Sequence, residues 1–375
     1  MRRVAAVGRK ELLQIRRDPL SLLMLLGLPA LMLVLYGFAL NFDVRHVALA
    51  VQDRDKSAAS RDLVAAFVNS TYFDITATPA PGDDLERITE RRVAKAVLVV
   101  PEGYGEKLAA GRRGEVQLLL DGADATTAAT ILGYARAIVA AANAEELREM
   151  LLRQGARGSP PGISYEPRVW YNPDLSSTRF LVPGLIGALM MLTAVLSTAL
   201  SVVREKERGT MEQIRVAPIR TPELILGKTV PYLAISLAAA AIILLAAWAL
   251  FGVEVRGSYL ALLAATLLYL LGALGFGLLI STIAHTQFMA FAVGLLGSLL
   301  PALLLSGFIF QIRIMPGWLQ AITHVVPARY YLVILRGIIL KGTGLGPYWD
   351  QMGYLALFAA ITLGLASVRL TRKET

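Results

Sequence analysis

The 375-residue sequence contains no cysteine and only three histidines. Without cysteine, neither a disulfide framework nor a thiolate metal site can form. His46, His285 and His324 are far apart in sequence, with no ligand spacing around them. We therefore expect no metal site and no cofactor.

Charged residues are also scarce, at 17% of the chain, whereas 55% of the residues are hydrophobic. The apolar residues gather in blocks of about 20, the length that crosses a bilayer as a helix. The formal net charge of +9 could indicate nucleic-acid binding, but the basic residues cluster before the first block and after the last. They are Arg2, Arg3, Arg9, Lys10, Arg16, Arg17, Arg369, Arg372 and Lys373. Such clusters are typical of cytoplasmic flanks that face anionic membrane lipid, so we expect a multi-pass membrane protein and no nucleic-acid partner.

The hydropathy pattern predicts an α-helical membrane protein with six transmembrane helices. Residues 1–19 are predicted to form an amphipathic interfacial (elbow) helix, residues 20–40 the first span, and residues 179–375 the other five. Those five are placed at Phe180–Val203, Thr229–Phe251, Tyr259–Ala284, Phe288–Phe310 and Met352–Leu370. A cleavable signal peptide is the alternative for the N-terminus. Two observations argue against a signal peptide. The residues before the apolar run include the acidic Glu11 and Asp18, and no small-x-small cleavage site follows the run.

Residues 41–178 have a different character, because polar and apolar residues alternate there in short segments. Strands are predicted at Val47–Val51, Ala94–Val100, Glu115–Leu120 and Ser164–Tyr171. Helices are predicted at Ala58–Val68, Leu85–Val93 and Ala123–Gln154. Strands interleaved with helices indicate an α/β domain, inserted between the first two spans.

Six spans place both termini on one side of the membrane, and both termini are basic. The loop at 204–228 falls on the same side and is basic too. The positive-inside rule therefore predicts that both termini lie in the cytoplasm. The expected location is the bacterial cytoplasmic (inner) membrane. Residues 41–178 and 311–346 then lie outside. The second of these segments is broken at Pro316-Gly317 and is predicted to form two short interfacial or re-entrant helices.

The interiors of the predicted spans carry no Asp, Glu, Lys or Arg. Carriers driven by a proton or sodium gradient need ionisable groups there to bind the coupling ion, so energy for transport is expected from elsewhere. Small residues in the spans are expected mainly to let helices pack closely. A substrate path is placed, as a guess, along Ser197, Ser201, Tyr232, Ser236 and Tyr269.

Gly227-Lys228-Thr229 looks like the end of a phosphate-binding P-loop, but Pro222 stands where that motif needs its first glycine. A membrane span follows, instead of the helix of a nucleotide-binding sheet. Lys228 is therefore interpreted as an anchor at the start of the third span, and no ATP site is expected in this motif.

The connector Arg204–Glu212, directly after the second span, is packed with charge. Gly209 can end one helix in a left-handed turn, and Thr210 can cap the next. This pattern predicts a short helix across the membrane face that projects charges toward the cytoplasm. The alternative is a solvated connector with weak ion pairs, such as Glu205 with Arg208.

Four features point to one known family. They are Arg9-Lys10-Glu11 in the interfacial helix, the span-domain-span opening, Glu207-Arg208-Gly209-Thr210-Met211-Glu212, and the tail from His324-Val-Val-Pro327-Ala-Arg329-Tyr330 through Leu335-Arg336-Gly337. The chain resembles the membrane subunits of type-2 ATP-binding-cassette (ABC) exporters, in particular drug-efflux permeases with a large outer domain. The resemblance covers nearly the whole chain, and the Glu-Arg-Gly-Thr-x-Glu signature is its most specific part.

In that family the connector is a coupling helix that fits a cleft in a separate ATPase, and the N-terminal helix flanks it. The resemblance therefore implies ATPase contacts at Arg204, Glu205, Glu207, Arg208, Gly209, Thr210, Glu212, Arg9, Lys10 and Glu11. It implies a dimer of ATPase subunits and a second permease chain, identical or related. Membrane lipid and a periplasmic adaptor are further expected partners. ATP hydrolysis is expected on the partner, with no catalytic residue in this chain.

The leading hypothesis is thus the permease subunit of an ATP-driven exporter that moves a hydrophobic or amphipathic substrate, such as a drug or a lipid, outward. One alternative is a non-transporting sensor or scaffold whose outer domain binds a ligand. The other is an ion-coupled carrier. Transport that persists without ATP would indicate the carrier, and ligand binding without flux would indicate the sensor.

Overall fold

The computed structural model describes residues 2–39, 46–153, 170–172, 176–210 and 220–372. The chain divides into two compact units, the first made of Met1–Asn41 with Arg168–Thr375 and the second of Phe42–Pro167. The first unit, the helical bundle, holds the long apolar helices. The second, the α/β unit, holds a small sheet with its own helices. Each unit has its own buried core.

The elements follow one another in the order α1 Arg2–Arg16, α2 Pro19–Ala39, β1 Val47–Asp53, α3 Ala58–Asn69, β2 Phe73–Ala77, α4 Leu85–Glu90, β3 Ala96–Val100, α5 Tyr104–Ala109, β4 Gln117–Leu120 and α6 Ala125–Arg153. The chain continues with α7 Ser177–Glu207, α8 Thr221–Phe251, α9 Tyr259–Ile283, α10 Gln287–Leu304, α11 Gly317–Ile322, α12 Pro327–Lys341 and α13 Trp349–Arg372.

Helix α1 is amphipathic. Val7 and Ile15 on one side are buried, whereas Arg9 and Arg16 are exposed. The helix ends just before Pro19, which begins α2. Proline fits the first turn of a helix, where no N–H is needed. The chain therefore makes a sharp junction between a half-polar helix and an apolar one.

Within the described ranges, six helices are long and apolar enough to cross a bilayer, namely α2, α7, α8, α9, α10 and α13. Helix α7 is the most deeply buried of them and packs against α2, α8, α9 and α10, while α9 also packs against α13. The other helices expose large apolar side chains, among them Leu23, Leu245 and Phe288. In a bilayer these side chains face lipid, so the bundle is a membrane protein with α7 at its centre.

Close approach of α7 and α9 depends on Gly277. A β-carbon at this position would overlap the Thr198 hydroxyl and the Val195 carbonyl oxygen. The Thr198 hydroxyl also donates to Leu274 O at 3.0 Å, which links the same two helices. Small residues in the spans thus serve packing, as the sequence predicted.

Three helix ends differ clearly from the predicted spans. Helices α7 and α8 have 31 residues each and extend into charged sequence, so that Glu205 and Lys228 lie within them. Helix α10 ends at Leu304, before the predicted limit at Phe310. The reason is Gly307, whose φ of +82° is a left-handed conformation that an α-helix cannot continue through.

The segment 311–346 forms α11, a 3₁₀ turn at Thr323–Val325, and α12, with a bend of 82° between Gly317–Val325 and Pro327–Lys341. Pro327 causes the break, because the residue before a proline is disfavoured in the helical region. Val326 accordingly has extended torsions, φ −89° and ψ 107°. Two short helices were predicted here; the side of the membrane on which they lie stays a prediction.

The α/β unit contains a four-stranded sheet in the order β2-β1-β3-β4. Strand β1 pairs in parallel with β2 and β3, and β4 runs antiparallel to β3. Leu49, Phe67, Phe73, Leu98 and Ile131 form its core. Strands and helices alternate along the chain, which confirms the predicted α/β character.

The sequence did not predict β2 or α5. Strand β2 is a five-residue edge strand with three exposed positions, so it lacks a long apolar run. Helix α5 has only six residues and follows Gly103 in a left-handed conformation. Most of the predicted strand Ser164–Tyr171 lies outside the described residues, and residues 170–172 are not in a strand.

The contact at Gly277 makes a prediction. The change Gly277→Ala should lower the free energy of unfolding by about 1–3 kcal/mol, because the added methyl group overpacks the α7–α9 interface. Thermal unfolding of the purified chain in detergent measures this. Gly364→Ala on α13 is the matched control, since a β-carbon there meets no atom within 4 Å. Equal melting temperatures for the two variants would contradict the interpretation.

Candidate coupling site

Three helices converge at one end of the bundle, where α1 packs against α8 and α8 against the end of α7. Glycine allows the first of these contacts. A β-carbon on Gly227 would lie 2.7 Å from Val7 Cβ and 3.2 Å from Val4 O. Opposite, a β-carbon on Gly8 would be 3.5 Å from Gly227 O. The two backbones are therefore close enough for short polar contacts between their side chains.

Four charged side chains meet at this convergence and form what we call the charged cluster: Lys10, Glu11, Glu205 and Lys228. Lys228 Nζ lies 2.9 Å from Glu11 Oε1 and 2.7 Å from Glu205 Oε2. Lys10 Nζ lies 3.1 Å from Glu11 Oε1 and also pairs with Glu205 Oε1. Two anions are thus matched by two cations, each cation shared between both carboxylates.

Three of the four members of the cluster are buried, whereas the side chain of Lys10 is 45% exposed. Glu11, Lys228 and Glu205 are 0%, 2% and 3% exposed, respectively. The second carboxylate oxygen of Glu11 accepts from Ser201 Oγ at 3.3 Å and from the Tyr232 hydroxyl at 3.4 Å. Ionised groups are stable away from water only when they are paired and hydrogen-bonded, and this arrangement meets that condition for Glu11.

The ionisation of the α1 residues reflects this pairing. Burial opposes the charge on Glu11, but the charges and hydrogen bonds of Lys228 and Lys10 outweigh burial and lower the pKa of Glu11 below its ordinary value of 4.5. Burial likewise opposes the charge on Lys10, and the hydrogen bonds and charges of Glu205 and Glu11 raise the pKa of Lys10 above 10.5. Both residues are therefore charged at neutral pH.

The signature residues at the end of α7 reach two further elements. Arg204 Nη1 lies 2.9 Å from Asp18 Oδ2, at the α1–α2 junction, and its Nε donates to Gln287 Oε1 at 3.3 Å. Glu207 accepts from the backbone N–H of Gln287 at 2.7 Å and from the Gln287 side chain. Gln287 is the first residue of α10, so Glu207 binds the N-terminus of that helix, where a negative charge is favoured.

Beyond Glu207 the chain turns away from α7. Gly209 has φ +71°, the left-handed conformation predicted for it, and the Thr210 hydroxyl donates back to Glu205 O at 3.3 Å. Arg208 is exposed. Residues 211–219, with Glu212 and the helix predicted there, lie outside the described residues.

Nine of the ten residues assigned to ATPase contact are described, and they differ in burial: Arg204 and Thr210 are half-buried, and Lys10 is exposed. Arg9, Glu207, Arg208 and Gly209 are exposed, whereas Glu11 and Glu205 are buried inside the bundle. Glu205 pairs with Lys10 and Lys228 rather than with Arg208. Lys228, interpreted from the sequence as an anchor of the third span, is a full member of the cluster. The sequence signal for it was a lysine within one turn of an uncharged span.

The residues guessed for a substrate path do not share one surface. Ser201 and Tyr232 hydrogen-bond to Glu11 at the charged end. Tyr269 lies deep in the bundle, where its hydroxyl donates to Gly187 O at 2.9 Å and its ring stacks on Tyr331 at 4.1 Å. Ser197 and Ser236 are buried within α7 and α8. Among the described residues, no group of three or more His, Asp or Glu side chains could hold a metal ion.

The structure defines a multi-pass helical membrane protein whose buried charges are gathered where its N-terminal helix meets the ends of two spans. The chain belongs to the ABC-2 family of transporter proteins: the pattern of that family, described as ABC-2 family transporter protein, matches residues 20–368.

Similar proteins carry related names. The chain is 32% identical over 379 aligned residues to the probable multidrug ABC transporter permease YbhS of Escherichia coli strain K12, covering 99% of this chain and 97% of that protein. It is 31% identical to the probable multidrug ABC transporter permease YbhR of the same strain, with 97% of each chain covered. The linearmycin resistance permease protein LnrN of Bacillus subtilis strain 168 is 23% identical and covered in full. The chain is therefore an ABC transporter permease, a class of membrane subunit that is generally not an enzyme.

Removing one charge from the cluster should be costly. Lys228→Met leaves two buried carboxylates against one lysine, and we expect a loss of about 3–5 kcal/mol in the free energy of unfolding. Thermal unfolding in detergent checks this. The double variant Glu205→Gln/Lys228→Met restores the balance of charge and should recover much of the loss. If Glu205→Gln lowers the free energy of unfolding as much in the Lys228→Met background as it does in wild type, the two groups do not interact as described.

The Glu11 pKa makes a prediction about pH. Because this pKa is lower in the folded chain, ionised Glu11 stabilises the fold above pH 4.5, and that contribution is lost as the pH falls through the folded value. Lys10, with its raised pKa, contributes fully below pH 10.5 and loses its contribution only above that value. We expect Glu11→Gln to be less stable than wild type at neutral pH, with the difference shrinking on acidification. A difference in melting temperature that stays constant from neutral pH to pH 3 would contradict this.

Proposed function

We propose that this permease is the membrane subunit of an ATP-driven exporter and that its charged end docks a separate dimer of ATPase subunits. The observation that carries the proposal is the position of the signature. Glu207, Arg208 and Gly209 directly follow the turn of α7 that holds Glu205. Displacement of the signature by a partner would therefore act on the cluster, and through its ion pairs on α1 and α8.

The exposed and the buried residues assigned to ATPase contact take different parts in this proposal. Arg208, together with Arg9 on α1, offers exposed positive charge to the partner. Glu212, also assigned to this contact, lies outside the described residues. Gly209 and Thr210 shape the turn that presents it. Glu11 and Glu205 are positioning residues, because they are buried and hold α1 against α7 and α8.

Glu207 supplies a second route into the bundle. Its carboxylate binds the first residue of α10, a helix that packs along α7. Arg204 reaches the same residue, Gln287, and also Asp18 next to α2. One short segment is thereby connected to α1, α2, α8 and α10, which would let a motion at the docking surface move these helices together.

The remaining parts of the proposal follow from the family and from charge. The permease works with a second permease chain, identical or related, and ATP hydrolysis on the partner rocks the two bundles to open a path outward. Both basic termini and the charged end face the cytoplasm of a bacterial inner membrane. The α/β unit lies outside, where it can gate the path or meet an adaptor.

The substrate is proposed to be hydrophobic or amphipathic. YbhS and YbhR are named as probable multidrug transporter permeases and LnrN as a linearmycin resistance permease. The described spans agree with such a substrate, because their charged groups lie at the helix ends. An ion-coupled carrier would need an unpaired ionisable group near the middle of a span. Glu11, Glu205 and Lys228 are instead paired with one another.

The test is an uncoupling variant. The permease is purified with its ATPase, reconstituted, and assayed for substrate-stimulated ATP hydrolysis and for ATP-dependent transport. Arg208→Ala should reduce both by about tenfold or more, because a charge-assisted contact at the docking surface is lost. The melting temperature of the permease alone should not change, since Arg208 is exposed.

Arg16→Ala is the matched control, an exposed arginine on α1 outside the signature. It should leave ATP hydrolysis and transport unchanged. If Arg208→Ala retains wild-type ATP hydrolysis and transport, the signature is not part of the coupling surface. Transport that continues without ATP and stops when the proton gradient is dissipated would favour the carrier instead.

A further inference from the structure

A groove of about 700 Å³ lies beside the charged cluster, between the α1–α2 junction and the end of α7. This volume falls within the roughly 300–1,000 Å³ of typical small-molecule sites. Four basic side chains line it, namely Lys10, Arg17, Arg204 and Arg208, against one acidic side chain, Asp18. The groove therefore carries an excess of positive charge.

The four cations are not equivalent. Lys10 is paired with Glu11 and Glu205, and Arg204 with Asp18. Arg17 and Arg208 are exposed, and neither forms an ion pair with any residue that the structure describes. They come from two different helices, α1 and the end of α7, yet they line the same groove. Two unneutralised guanidinium groups that face one space are suited to a phosphate, which guanidinium binds through paired hydrogen bonds.

The surroundings of the groove are apolar on one side. Leu13 lines the groove and is 43% exposed, and Leu12 beside it is 50% exposed. Past the junction, Leu22 and Leu23 of α2 are 37% and 65% exposed. Pro19, which begins α2, also lines the groove, and Leu22 and Leu23 lie three and four residues later on the same helix face. An apolar strip thus leads from the groove along the first candidate span, where acyl chains lie in a bilayer.

We propose that this groove is a binding site for the headgroup of an anionic phospholipid. Arg17 and Arg208 bind the phosphate, and the acyl chains extend along α2 past Leu22 and Leu23. The lipid would neutralise the two arginines and fix the interfacial helix to the membrane at the point where the chain turns into it. Basic pockets between helices at the cytoplasmic face bind anionic headgroups in this way.

An acidic segment of a partner protein is the competing occupant. The apolar strip favours lipid, because it continues along the side of a candidate membrane span, which a soluble partner could not reach. The site does not depend on the proposed docking to an ATPase. The variant of Arg17 decides the test, because Arg208 also belongs to the proposed docking surface.

The test is native mass spectrometry of the full-length permease in detergent, titrated with phosphatidylglycerol or with phosphatidylcholine. Wild type should bind a first phosphatidylglycerol more tightly than phosphatidylcholine. Arg17→Gln and Arg208→Gln should each weaken that first binding by about five- to tenfold, the effect of one cation near an anionic headgroup. Arg16→Gln is the matched control, with the same change of charge one residue away but outside the groove, and should change it less than about twofold.

Three results would overturn the proposal. The first is equal weakening by Arg16→Gln and Arg17→Gln, which would indicate only diffuse attraction to the basic helix. The second is displacement of the bound lipid by excess glycerol phosphate, which would indicate a site for a soluble phosphate. The third is unchanged lipid binding in Arg17→Gln together with weaker binding of the purified ATPase, which would assign the groove to a partner protein.

Discussion

The bundle depends on two buried carboxylates that are paired with a buried ammonium group, that of Lys228, and with a half-exposed one, that of Lys10. Taking such groups out of water costs several kcal/mol per ion, and only a matched set with good geometry recovers that cost. Glu11, Glu205, Lys10 and Lys228 come from three helices, so the set is complete in only one arrangement of α1, α7 and α8. An apolar contact would tolerate sliding of these helices, whereas the cluster fixes both their register and their separation.

The architecture could largely be predicted from the sequence, because a bilayer imposes a length on each apolar block. The six spans and the broken segment with α11 and α12 followed from hydropathy and proline alone. The elements that the sequence did not predict are short and have a weak hydropathy pattern. One is the edge strand Phe73–Ala77, which buries one residue fully. The predicted lengths of α7 and α8 were also wrong, because their charged ends were not expected to be helical. Residues distant in the sequence neutralise these ends.

The sequence drew attention to the segments whose side chains meet in the charged cluster, but not to the geometry of their contacts. The Glu-Arg-Gly-Thr signature identified the segment, and charge suggested that all of it faces a partner. The pairing of Lys10 with Glu205 and of Lys228 with Glu11 joins residues 195 and 217 positions apart, which no local pattern records. The buried and the exposed residues among those assigned to ATPase contact therefore could not be told apart in the sequence. Gly227 was a clue, since a glycine beside a lysine allows another backbone to approach.

The length of α7 has a mechanical consequence. At about 1.5 Å per residue, its 31 residues measure about 46 Å, whereas the hydrocarbon core of a bilayer is about 30 Å thick. A continuous helix therefore stands clear of the hydrocarbon, and its last turns occupy the headgroup layer. A rod of this kind does not stretch, so a tilt of its protruding tip becomes an opposite displacement at its far end. A rigid helix of this length would carry a movement at one end to the other side of the membrane.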